Sequence, residues 1–257
     1  MDRFIVNPIG TTAIEALDVN TLVQSTLSLS GGGNALATNN VDGITLGYDS
    51  GTTIAYWDPV SGATGTFSIS GVENFADDMD ATGAGTFDND RAQLIMLGDS
   101  GGTTEATMWY YRISFEPYVT GAAPVVKTLD QIRLYTDNAL ATNFTSSLGD
   151  VAWDSASKKL YISTTAGEIL YFYPYDMRWN TAGLACQVFS QGTPVAFGIQ
   201  TTFTADGSIY YAYETGGTEI YTIDRVPGTA TATLIGDATG GIAGAIDLAE
   251  WPCTQPL

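Results

Sequence analysis

Apolar residues along this chain fall in short alternating runs rather than at the three- and four-residue spacing of a helix. The clearest run starts at Gly149: Val151-Ala152-Trp153, a polar stretch Asp154–Lys158, then Leu160-Tyr161-Ile162, a Gly-containing turn and Ile169-Leu170-Tyr171-Phe172-Tyr173. This predicts strand, turn, strand, turn, strand, with 185–189 (ACQVF) as a fourth strand. A second copy follows: Ile199–Phe203, a turn at Asp206-Gly207, Ile209–Tyr213, another Gly turn, Glu219–Ile223, and 230–235 (ATATLI) as its fourth strand. In both copies an aromatic residue precedes an Asp-containing turn, and Glu-Ile opens the third strand. Only Thr11–Gln24 admits a helical reading, and its β-branched residues read equally as two short strands.

Weaker copies lie upstream. One runs from Gly43–Asp49 through 53–58 (TIAYWD) to 65–69 (GTFSI); another runs from Gly85–Asp90 through 92–97 (AQLIML) to 108–115 (MWYYRISF). Tyr48, Phe87, Trp153 and Phe203 then serve as anchors, at intervals of 39, 66 and 50 residues. The long interval implies long loops around 99–106 and 135–148. Four strands recurring at roughly 40 to 50 residues predict an all-β single β-propeller, because a small twisted sheet cannot bury both faces unless its neighbours stack on it. The tail 244–251 (GAIDLAEW) reads as an inner strand without successors, and the N-terminal strands lack an inner partner. Joining them removes an exposed edge and makes five blades: 1–35 with 240–257, then 36–72, 73–146, 147–192 and 193–239. A sixth blade or an inserted element would fall in the long-looped stretch between Phe87 and Trp153.

The stretches AWDSASKKLYISTTAGEILYFYP and FTADGSIYYAYETGGTEIYTID resemble the blades of lactonase-like, NHL-like and quinoprotein-like propellers. The resemblance covers the second half of the chain. It implies architecture only, since that group includes enzymes, scaffolds and surface-binding modules. In its gluconolactonase-type members, Glu, Asn and Asp side chains hold a divalent cation at the tunnel mouth. That resemblance would make Asp42, Asp78, Asp150 and Asp247 tunnel-lining, as all lie near starts of predicted inner strands. Their offsets from the anchoring aromatics differ, so convergence is not expected.

Charge narrows the partners. The chain carries 28 acidic and 9 basic residues, a net charge of −19. Such a surface repels nucleic acid and anionic membranes. No run reaches the apolar length of a membrane helix, and no basic segment followed by a long apolar run opens the chain, so no leader is visible.

The absence of histidine excludes His-dependent triads, His-metal sites and imidazole bases. Gly31-Gly32-Gly33 is followed by Asn and Ala, not Lys and Ser/Thr, so it reads as a turn and not a phosphate loop. No cofactor is implied. Asp77, Asp78 and Asp80 supply the oxygen ligands Ca²⁺ prefers, without EF-hand spacing. Asp88, Asp90, Asp154 and Asp206 read as turn residues that bond backbone amides. Trp109-Tyr110-Tyr111 and Tyr171–Tyr175 hold more rings than alternation buries on one face. Trp109, Tyr110 and Tyr175 are therefore candidates for stacking on sugars or a protein surface, against the alternative that rings on both faces pack against neighbouring blades. Asn143-Phe144-Thr145 is a lone glycosylation sequon. Cys186 and Cys253 form either a disulfide or two buried thiols.

The resulting expectation is a non-enzymatic structural or adhesive module on an extracellular or virion surface. Its partners would be other structural proteins or surface glycans, in an oligomeric assembly. A phage tail or capsid-decorating component is favoured over a secreted or cell-surface bacterial propeller, with a Ca²⁺-dependent lactonase-like hydrolase the distant third.

Overall fold

The computed structural model describes residues 3–8, 12–18, 20–21, 23–30, 33–39, 42–69, 83–99, 108–115, 126–136, 148–164, 168–173, 181–187, 200–203, 209–214, 218–223, 232–237 and 245–250. Among them there is no helix, and Thr11–Gln24 contributes strands. The strands are β1 (Arg3–Pro8), β2 (Ile14–Asp18), β3 (Val23–Ser28), β4 (Asn34–Thr38), β5 (Thr45–Ser50), β6 (Thr53–Trp57) and β7 (Thr64–Ser68). Then come β8 (Gly83–Asp88), β9 (Gln93–Asp99), β10 (Met108–Phe115), β11 (Val126–Thr136), β12 (Leu148–Asp154), β13 (Lys159–Thr164), β14 (Glu168–Phe172) and β15 (Thr181–Gln187). The last are β16 (Gln200–Phe203), β17 (Ile209–Glu214), β18 (Thr218–Ile223), β19 (Ala232–Asp237) and β20 (Ala245–Glu250).

Consecutive strands pair antiparallel as four-stranded meanders: β4–β7, β8–β11, β12–β15 and β16–β19. The remaining sheet has the order β20-β1-β2-β3, so the last strand pairs with the first, Phe4 opposite Glu250 and Val6 opposite Leu248. The first strands of the meanders lie side by side: β4 against β20 and β8, β12 against β8 and β16, and β16 against β20. Stacked meanders with adjacent inner strands are the β-propeller architecture.

Alternation explains the packing. On the β4–β7 sheet, Ala35, Ala37, Ile44, Leu46, Tyr48, Ile54 and Phe67 join Phe87, Leu94, Met96 and Ile113 of the next meander in one apolar cluster. Leu36 and Trp57 point the other way and pack with Ile5 and Ile14. A sheet with apolar residues on both faces needs a neighbour on both sides. Each fully buried aliphatic side chain here, such as Ile54 or Leu94, contributes about 1.5–3 kcal/mol.

The pattern misplaced one inner strand. Residues 43–49 lead into the second strand of their meander, Thr45–Ser50, and the first is Asn34–Thr38. Thr38, opposite Thr45, holds the position that Phe87 (opposite Leu94), Trp153 (opposite Leu160) and Phe203 (opposite Ile209) hold elsewhere. The alanine-rich run NALAT has no ring to announce it. Thr38 and Thr45 are buried and face each other through their hydroxyls at 3.5 Å.

Among the described residues, neighbouring outer strands meet at two places. The end of β11 runs parallel to the start of β15, Tyr135 opposite Thr181 and Thr136 opposite Ala182, which fuses two meanders into one eight-stranded sheet. Just past the end of β3, the Ser30 hydroxyl bonds that of Thr64 at the start of β7, Oγ to Oγ1 at 3.3 Å.

Candidate functional site

Neighbouring inner strands pack closely: between β4 and β8, a Cβ built on Gly85 would lie 2.3 Å from the carbonyl oxygen of Ala35. Between β8 and β12 the Trp153 amide donates to the Thr86 hydroxyl at 3.1 Å. Asp150 lies on β12 but is fully buried in the ladder; the Val151 amide donates to its Oδ1 at 2.7 Å, and its own amide donates to Ser163 Oγ at 2.8 Å. Asp42 lies in the loop between β4 and β5, where the Ile44 amide donates to its Oδ1 at 3.1 Å. Burial raises its pKa above the ordinary carboxylate value, the Ile44 bond opposes this, and the charge of Asp58 adds to the rise. Asp247 is on β20 opposite Asn7, and its side chain lies outside the described residues. The structure thus places Asp42 and Asp150 in different meanders, one in a loop and one on a strand, with different backbone partners. Among the described residues no three Asp, Glu or Cys side chains converge as metal ligands would. Asp77, Asp78, Asp80, Tyr175, Cys253 and the 143–145 sequon lie outside the described residues, as does the side chain of Cys186 on β15.

The Asp-containing turns share one grammar. In Asp58–Gly62, Asp88–Ala92 and Asp154–Lys158 the Asp Oδ1 accepts the amide two residues on, at 2.8, 3.0 and 2.9 Å. The other carboxylate oxygen accepts from the side chain three residues on: Ser61 Oγ at 2.5 Å, Arg91 at 3.1 Å and Ser157 Oγ at 2.6 Å. The fifth residue has positive φ: 71° at Gly62, 51° at Ala92 and 56° at Lys158. After Thr38 the Gly43 amide donates to the Asn39 carbonyl at 2.7 Å, with Gly43 at φ 79°. Asp58, Asp88 and Asp154 thus cap their own turns, which is the structural role read for Asp88 and Asp154. Asp90 was read the same way, but its carboxylate forms an ion pair with Lys158 of the next meander. Asp206 lies outside the described residues.

Beside the Asp154–Lys158 turn is the described group with most to offer a partner. Antiparallel pairing of β13 and β14, with Leu160 opposite Phe172, sets Lys159 across from Tyr173 and diagonal to Tyr171. The Tyr171 and Tyr173 rings are 5.8 Å apart at 83°, and the Lys159 ammonium sits in the notch, 4.8 Å from one centroid and 5.4 Å from the other. Tyr173 is 39% exposed, and the Lys158 side chain 49%. Trp109 and Tyr110 lie on β10 opposite Arg133 and Ile132, but their side chains fall outside the described residues. The aromatic run at 171–175 marked this region in the sequence. The two-residue alternation from Tyr171 to Tyr173, together with a lysine across the hairpin, was the signal that would have identified the notch. Chemically the notch can hold an anion against an ammonium while offering ring surface; it contains no acid–base pair.

No family model and no curated protein matches the chain. Among solved structures, it is similar to a protein of unknown function from Bacteroides thetaiotaomicron, at 13% identity and TM-score 0.45, covering 89% of this chain and 56% of that one. It is also similar to a candidate 6-phosphogluconolactonase of Bacteroides uniformis, at 16% identity and TM-score 0.46, covering 92% and 68%. The Cps50 (Swd1) β-propeller domain of Myceliophteria thermophila compares at 10% identity and TM-score 0.44, covering 92% and 71%. This chain therefore spans little more than half the length of the first of these. Likenesses this loose place no activity on the chain, and the propeller architecture rests on its own strand order.

Proposed function

We propose that the chain is a non-enzymatic five-bladed propeller whose N- and C-terminal strands share the closing blade, and that it serves as a structural or adhesive module on an exterior surface. The ring reading is supported by the succession of inner strands β20, β4, β8, β12 and β16, with β16 again against β20. The observation that carries the binding role is the Lys159–Tyr171–Tyr173 notch beside the exposed Lys158. A virion component, on the phage tail or capsid, is the favoured setting, because a Thr- and Gly-rich acidic exterior suits a particle facing the medium. The alternative settings are a secreted or cell-surface bacterial propeller and, more distantly, a Ca²⁺-dependent lactonase-like hydrolase.

Cross-linking mass spectrometry on the native particle or envelope fraction tests this. The expected result is links from Lys158 and Lys159 to a particle or surface protein. A chain recovered free of any particle or surface, with metal-dependent lactone hydrolysis, would overturn the proposal.

A further inference from the structure

Among the described residues one basic side chain, Lys159, has no carboxylate partner. Its neighbours have theirs: Arg91 Nη1 bonds Asp88 at 3.1 Å, Lys158 pairs with Asp90, and the Asp154 carboxylate accepts from the Ala156 amide and the Ser157 hydroxyl. These charges are spent on one another. What the Lys159 ammonium meets instead is the Tyr171 ring at 4.8 Å and the Tyr173 ring at 5.4 Å. An ammonium carries three N–H donors, and ring faces attract its charge without offering them an oxygen acceptor. Beside it the Tyr173 ring is partly open to solvent, set at 83° to Tyr171, and the adjoining turn exposes Ser155.

We propose that the notch is a subsite for a pyranose carrying one carboxylate, a uronic acid unit of a surface polysaccharide. The carboxylate meets the Lys159 ammonium, and the C–H face of the sugar lies on the open side of the Tyr173 ring. Each half of the notch selects one half of this ligand. A carboxylate supplies the acceptor oxygens that the ammonium lacks, in a charge-assisted hydrogen bond. The electron-rich ring face attracts the slightly positive C–H groups of a pyranose. The rest of the chain selects the kind of acid. At a net charge of −19 it repels a densely charged polymer, and the paired charges around Lys159 exert no long-range pull. A sugar with a single carboxylate among neutral hydroxyls meets less of that repulsion and is held by contact-range attraction alone. This assignment rests on the notch being the surface through which the chain binds.

Saturation-transfer difference NMR of the full chain with methyl glucuronide, and with methyl glucoside as its neutral counterpart, tests the proposal. A site this small and open should hold the glucuronide with a dissociation constant on the order of 1 mM, and the glucoside about tenfold more weakly. Lys159→Met keeps an apolar stem between the rings and removes the donors. It should weaken the glucuronide about tenfold and bring it level with the glucoside, with the melting temperature little changed. Lys159→Arg, which restores charge and donors, should recover binding. Tyr173→Ala should weaken both sugars, with circular dichroism confirming that the variant folds. A clasp that only fastens β13 to β14 gives the opposite pattern: Lys159→Met lowers the melting temperature and leaves the sugars unaffected. That pattern, equal binding of the two sugars by the wild type, or no transfer to the glucuronide at all would each overturn the inference. If the wild type ignores the glucuronide yet still cross-links through Lys158 and Lys159 to a surface protein, the sugar ligand falls and the surface role stands.

Discussion

The backbone amide of Trp153 donates to the hydroxyl of Thr86, 67 positions away, at 3.1 Å. Both residues lie on first strands, whose inner edges would otherwise face an axis with unmatched amides. Thr86→Val keeps the shape and removes the acceptor, so it should destabilise the chain by about 1–3 kcal/mol, whereas Thr86→Ser should recover most of the loss. Urea denaturation of the two variants checks this.

Gly85 and Gly65 give opposite answers to one substitution. At Gly85 a methyl would meet the Ala35 backbone carbonyl at 2.3 Å; at Gly65 it would meet the end of the Tyr56 ring at 2.7 Å. Backbone in a packed inner strand has nowhere to move, and a half-buried ring can turn. Gly85→Ala should cost about 3 kcal/mol or more and Gly65→Ala about 1 kcal/mol, read from melting temperatures.

The two carboxylates near the β4–β7 turns should respond to pH in opposite senses. Burial works against the charge of Asp58, but the bonds from Ser61 Oγ and the Val60 and Ser61 amides prevail and hold its pKa below the ordinary value. Its stabilisation is present above about pH 4, the unfolded value, and is lost as pH falls through the lower folded value. Asp58→Asn should therefore cost about 1 kcal/mol at neutral pH and flatten the acid limb of the stability curve. Asp42 has a raised folded pKa, so its charge opposes folding at neutral pH. Asp42→Asn, which keeps an acceptor for the Ile44 amide, should stabilise at pH 7, with the gain vanishing as pH falls through that raised value. Denaturant midpoints across pH 3–8 test both signs.

Lys158 sits at φ 56°, in the turn position Gly62 fills elsewhere. A left-handed conformation costs a non-glycine residue about 1–2 kcal/mol, and the exposed ion pair with Asp90 is worth at most about 1 kcal/mol. Lys158→Gly should be neutral or stabilising by up to about 1 kcal/mol. A marked loss of stability in chemical denaturation would mean the ion pair matters more than its exposure suggests.

How far the sequence could be read depended on side-chain size. Trp153 and Phe87 each end an inner strand just before an Asp turn, and aromatic–Asp–turn is an easy pattern to find. Thr38 occupies the same place with a side chain common on any surface, so its meander was read one strand out of phase, with Tyr48 as the anchor. The capping role of Asp88 and Asp154 followed from residue type alone, because Asx turns are local. The pairing of Asp90 with Lys158 did not, since it depends on two meanders standing side by side. The notch was half legible: the rings were visible as an excess, but Lys159 joins them only through the register of β13 and β14.

The pairing of β1 with β20 joins the two ends of the described chain. The first strand is synthesised some 240 residues before the one that covers its edge, since Phe4 lies opposite Glu250. Among the described strand pairings it spans the longest sequence separation, and the entropy cost of loop closure rises with that separation. During that interval a β20 from another nascent chain competes for the same edge, and success would give a strand-exchanged dimer with every native backbone bond intact. Slow release of the C-terminus, or high local concentration on a polysome, would raise the yield of that species without changing a single residue.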